Sequence, residues 1–175
     1  NNGDQTITLN GTTVWNVPGS ALIADSPGSE TQMTLNGTAQ FIVTGINECQ
    51  IGRAGTAVLD INDSASLTSS AWTALGRFTA TSSGTVNVNG GSFQNINPNR
   101  RIIVGEQGIG VLNISGGSVS DAAGQTNIGQ DAGSNGTVNL MTGGNLTVNR
   151  LFGGAGTSAF HFDGGTLVAA SANND

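Results

Sequence analysis

The chain has no tyrosine and no lysine, a single cysteine and three prolines in 175 residues, and only 9% of its residues are charged. Each shortage closes a route. Cys49 alone forms no intramolecular disulfide, so disulfides do not hold the fold together. Set in a strand-forming stretch beside Ile51, it reads as a small buried apolar residue. The basic residues are Arg53, Arg77, Arg100, Arg101 and Arg150, and the net charge is −6. The basic stripe that phosphate binding requires is therefore missing, which argues against a nucleic-acid partner. No run approaches the ~18 apolar residues of a membrane-spanning helix. The opening NNGDQT has neither the basic start nor the apolar stretch of a signal peptide, so the expectation is a removed signal or a fragment of a longer protein. With an average soluble domain roughly 25% charged, the surface here must be made polar by Asn, Thr, Ser and Gln.

What is abundant is a repeat. A short alternating strand runs into a polar residue and a turn at ITLNG, MTLNG, LDIND, VNVNGG, LNISGG, VNLMTGG and FHFDGG. The polar residues are Asn10, Asn36, Asn62, Asn89, Ser115, Thr142 and Asp163, separated by 26, 26, 27, 26, 27 and 21 residues on subtraction. A period of that size marks a solenoid, each repeat being one unit stacked on its neighbours.

Three segments recur in each unit. The first alternates, so that pairs such as Ile7/Leu9, Met33/Leu35 and Val86/Val88 point to one face and the residues between them to the other. The second supplies one large apolar residue per unit: Trp15, Phe41, Leu67, Phe93, Val119, Leu146 and Leu167. The third ends in an apolar–small pair, as in Ile23-Ala24, Ile51-Gly52, Leu75-Gly76, Val104-Gly105, Ile128-Gly129 and Phe152-Gly153, where glycine lets the backbone turn a tight corner. The 28 glycines and many β-branched residues disfavour a helical solenoid. The expected fold is all-β: a single-stranded parallel β-helix of about seven coils with three short strands each, right-handed by the crossover rule. It forms one domain, with a degenerate N-terminal coil over 1–30, regular coils over 31–168 and an uncapped tail over 169–175. A longer interval between the third and fourth corners places a protruding loop at INPNRR (96–101).

The stretches IGQDAGSNGTVNLMTGGNLTV (128–148) and VGEQGIGVLNISGGSVS (104–120) resemble the Gly-rich repeats of bacterial surface and secreted β-solenoids, such as autotransporter passenger domains and repeat proteins bearing cell-envelope sorting signals. The resemblance implies an extracellular or cell-surface location and a role in adhesion, display or spacing. It carries no catalytic motif, and the autotransporter's membrane barrel is not in this sequence.

The candidate chemistry is sparse. Glycosidic cleavage needs two facing carboxylates, but the columns around Asp60 and Asp63 continue as Asn, Ser and Thr, so no catalytic residues are assigned. His161 stands in the outward column Thr8, Thr34, Asp60, Asn87, Asn113, Asn139, without a second metal ligand nearby. That column reads instead as a hydrogen-bonded ladder along the rod. DSPGSE and DAGSN lack calcium-loop spacing, and the outer rows are too irregular to present an ice lattice. The corner column Asp25, Arg53, Arg77, Glu106, Gln130, Gly154 forms a partial charge ladder. Arg100 and Arg101, on the expected loop, are the better candidates for partner contact. Binding candidates are thus Arg100, Arg101, Arg53, Arg77 and Glu106, with no metal or cofactor. The expected function is a non-enzymatic structural or adhesive module stacking end to end on its own copies or on further coils. Its rival is a carbohydrate-active or lectin-like β-helix.

Overall fold

A computed structural model describes residues 4–170, which contain eighteen strands and no helix. The first coil comprises β1 (Gln5–Leu9), β2 (Val14–Val17) and β3 (Ala21–Ile23), and the second β4 (Glu30–Leu35), β5 (Gln40–Val43) and β6 (Glu48–Ile51). The third holds β7 (Thr56–Ile61), β8 (Ser66–Ser69) and β9 (Trp72–Leu75), and the fourth β10 (Ser83–Val88), β11 (Ser92–Asn95) and β12 (Arg101–Val104). Then β13 (Ile109–Ile114) leads into β14 (Ser118–Ile128), β15 (Asn135–Met141) into β16 (Asn145–Gly153), and β17 (Thr157–Asp163) into β18 (Thr166–Ala169). All the strand pairings are parallel, each strand bonding to its counterpart one coil away, as in β4 between β1 and β7. The molecule is a parallel β-solenoid. Its first sheet has seven rungs and its third six, giving six complete turns and part of a seventh.

Side-chain alternation builds the core. Met33, Leu59, Val86, Leu112 and Val138 share one register column of the first sheet, and Phe41, Leu67, Phe93, Val119 and Leu146 one column of the second. All are buried in one continuous cluster, so each interior coil packs on two neighbours and stability grows with coil number. The outer side of the first sheet carries the ladder expected from sequence. Asn87 and Gln32 donate to the two oxygens of Asp60, Asn113 donates to Asn87, and Asn139 to Asn113, each at 2.7 Å. At the adjoining turn Asn36, Asn62 and Asn89 repeat the motif at 2.9 Å.

The corner after the third sheet requires glycine. Gly76 has φ 66°, and a Cβ there would lie 2.1 Å from the Ile109 carbonyl oxygen. Gly52, Gly105 and Gly129 share this conformation, and Ala24 takes it at φ 54° in the first coil.

Three alignments made from sequence shift by small steps. Phe152 pairs with Asn127 and Gly153 with Ile128, so Phe152 takes an outward register position and Gly154, bonded to the Ile128 carbonyl, begins the corner. The corner column therefore reaches Ala155, bonded to the Gln130 carbonyl, where sequence alignment placed Gly154. At the first turn, Leu140 pairs with Phe162 and Met141 with Asp163, so the extra residue Met141 displaces Thr142 from the Asn column. Finally, the added length of the fourth coil is not confined to residues 96–101. Seven residue steps separate Gly76 from Ser83 at the start of β10, against four from Gly52 to Thr56 at the start of β7, and that longer turn carries Phe78.

Candidate functional site on the third sheet

In its middle rungs the third sheet is buried on both sides. Cys49, Ile51, Leu75, Ile102 and Val104 face inward and belong to the continuous core, whereas Gln50, Ala74 and Ile103, which alternate with them, are equally inaccessible; Ala74 and Ile103 lie outside that cluster. With Asn127, these make a second buried layer on the outer side, in register from rung to rung. Beside it runs a row that includes Glu48, Trp72, Arg101, Gln125 and Arg150. Long side chains that lay their aliphatic stems across apolar surface are suited to cover such a layer.

All five arginines lie against an aromatic ring of this region. Arg53 and Arg77 sit over Phe78 at 4.1 and 5.0 Å from its centroid, Arg100 and Arg101 over Trp72 at 5.7 and 5.0 Å, and Arg150 over Phe152 at 4.8 Å. Phe78 itself has φ 75°, a conformation costly for a bulky residue and concentrated at ligand sites. Thr79 and Ser82 hold its turn closed through their hydroxyls.

The sequence-predicted residues divide into two groups. Arg53 pairs with Asp25, and Arg77 bridges Glu48 at 2.9 Å and Glu106 at 3.3 Å. This is the charge ladder expected of the corner column, with Glu48 added from the sheet row. Burial raises the Glu106 pKa above the usual carboxylate value, Asp131 and Glu48 push it the same way, and Arg77 and Arg101 oppose the shift.

Arg100 and Arg101 form no ion pair with that cluster. Their turn is tied down by the Asn97 side chain on the Ser70 carbonyl and by Asn95 accepting from the Asn97 amide, with Pro98 and Asn99 exposed. Both arginines fold back over Trp72. Beneath them Asp121 is fully buried where β14 turns from the second sheet to the third, one carboxylate oxygen accepting from the Ile102 amide at 3.2 Å and the Thr126 hydroxyl at 3.0 Å. Burial raises its pKa as well, against these two hydrogen bonds and Arg101. Cys49, inside the core, is pushed up to about 12 by burial, which leaves it an inert thiol.

Among the described residues, the buried side-chain atoms without a hydrogen-bond partner collect in this region: both amide atoms of Gln50, the Nε of Arg53 and Arg100, Trp72 Nε1, oxygens of Asp121 and Asn127, and the Glu106 oxygen that meets Arg77 as an ion pair only. Native proteins leave few such atoms, and each calls for a cause. The first and second sheets contribute none apart from the Asp121 corner. Sequence reasoning missed Glu48, Trp72, Phe78, Asp121 and Arg150. Trp72 and Arg101 are readable in retrospect from adjacent registers, whereas the approach of Phe78 to two arginines depends on an irregular turn. No group of three potential metal ligands occurs among the described residues.

Comparison of the chain with family models, curated proteins and solved structures finds no match.

Proposed function

We propose that the chain is a non-enzymatic β-solenoid module of a bacterial surface or secreted protein, a rigid spacer or adhesive segment that extends by stacking coil upon coil with copies of itself. The observation that carries this reading is the pair of axial ends. At one end a cavity of about 450 Å³ is lined by Ile7, Trp15, Val17, Ala21, Leu22 and Phe41, with Trp15 40% exposed over Phe41. At the other, Phe162 and Leu167 are 60% and 43% exposed. Leu167 closes the column that Trp15 opens, so a head-to-tail, heterologous contact between copies would continue that column, the kind of contact that builds open filaments. Strand edges at such ends are templates for further strands. The low charge and the Gly-rich repeat support an extracellular setting. Among the described residues, no helix is long and apolar enough to cross a membrane.

The test is electron microscopy and sedimentation across a concentration series, with Trp15→Asp and Phe162→Asp as variants. Filaments many times longer than one chain, about 34 Å at 4.8 Å per coil, and lost in both variants, are expected. Monomers at every concentration would overturn self-stacking and leave further coils of the parent polypeptide as the occupant of these surfaces.

One observation favours a second reading, a carbohydrate-active β-helix: Glu48 and Glu106 share Arg77, and the Glu106 pKa is raised, as suits a general acid. The bridging arginine opposes it, since it holds both carboxylates as ion-pair partners. New reducing ends released from a polysaccharide by the chain, and not by Glu106→Gln, would establish it.

A further inference from the structure

We propose that the outer face of the third sheet binds an acidic polysaccharide, its carboxylates held by Arg100, Arg101 and Arg150. This deepens the adhesive reading but stands on side chains of the sheet rather than on the coil ends, so failure of assembly and failure of binding are separately visible.

Arg53 and Arg77 are ion-paired, whereas Arg100, Arg101 and Arg150 have no carboxylate within salt-bridge distance and donate no side-chain hydrogen bond among the described residues. What they have is a ring: Trp72 under the first two and Phe152 under the third. A contact with an aromatic face restrains a guanidinium while using none of its five N–H donors. The three cations are thus held in place without committing their donors to a carboxylate, the Arg100 Nε alone being buried, and the planar guanidinium matches the two oxygens of a carboxylate.

Spacing selects the ligand further. Arg101, Gln125 and Arg150 occupy successive rungs of one row, so the two arginine Cα atoms are roughly 10 Å apart along the rod axis at ~4.8 Å per rung. Gln125, half-buried between them, adds a neutral donor and acceptor. An extended polymer lying along the axis would meet cation, amide and cation in turn. Three cations on a chain of net charge −6 suit a polymer with about one carboxylate per sugar. They suit a polynucleotide poorly, because its denser charge needs a basic stripe and is repelled by the whole molecule.

The experiment is affinity electrophoresis of the intact chain through gels containing polygalacturonate, neutral dextran or single-stranded polynucleotide at low salt. Retardation by polygalacturonate alone is expected, weakening as salt is raised. The double variant Arg101→Gln/Arg150→Gln should lose at least tenfold in apparent affinity, and Arg101→Lys should fall between, since an ammonium keeps the charge but not the fork. Thermal unfolding of each variant separates lost binding from lost fold. Three results would overturn the proposal: no retardation by polygalacturonate, retardation unchanged in the folded double variant, or equal retardation by dextran or polynucleotide.

Discussion

The outer faces of the first and third sheets are built on the same backbone and spend their polar groups in opposite ways. On the first sheet, Asp60, Asn87, Asn113 and Asn139 close one another's hydrogen bonds at 2.7 Å, and no buried side-chain atom there lacks a partner. On the third, buried donors and acceptors go unpaired while arginines are held by rings. A repeat that satisfies itself everywhere needs nothing from outside. The contrast makes the third face, rather than the first, the place to look for a ligand.

The most damaging substitution removes the frame that both faces share. Gly76→Ala puts a Cβ against the Ile109 carbonyl at a residue with φ 66°, and chemical denaturation should show a loss of about 3 kcal/mol or more. A loss below ~1 kcal/mol would mean that the corner relaxes and that coil geometry is not fixed by glycine. Smaller, and specific to the first face, is Asn113→Ala. It removes one donated and one accepted amide bond from the ladder and should cost about 1–2 kcal/mol in the same assay.

A pH series sharpens the third-face side. Asp121 and Glu106 both have folded-state pKa values raised by burial. A raised carboxyl binds its proton more tightly in the folded chain, so its favourable contribution is complete below the ordinary carboxylate range and is lost as pH rises through the folded value. Asp121→Asn, which cannot ionise, should therefore be most stable relative to the unaltered chain near neutrality. That advantage should shrink as pH falls toward the ordinary carboxylate range, as followed by unfolding midpoints. An advantage that grew on acidification would contradict the assigned direction.

These contrasts were unevenly legible in the sequence. The coil, its three strands and the Asp60–Asn139 ladder follow from period and alternation, because a parallel stack places like positions over like and register does the rest. The columns slip where length varies, at Met141 and at Phe152. Trp72 and Arg150 sit at ordinary outward positions whose importance comes from which rung lies beside them. Phe78 reaches its arginines through a turn with no counterpart in neighbouring coils, and Asp121 is buried by a bulge of β14, features that periodic reasoning averages away.

The division of labour between the two faces is tested most directly by comparing, in one denaturation experiment, Asn113→Ala with the double variant Arg101→Gln/Arg150→Gln. A measurable loss is expected for the ladder variant and a change within ~1 kcal/mol for the arginine variant, since neither arginine has an ion pair and partly exposed cations held by rings contribute little to folding. An arginine variant destabilised as much as the ladder variant or more would contradict it, and would make the third face a structural seam of the rod.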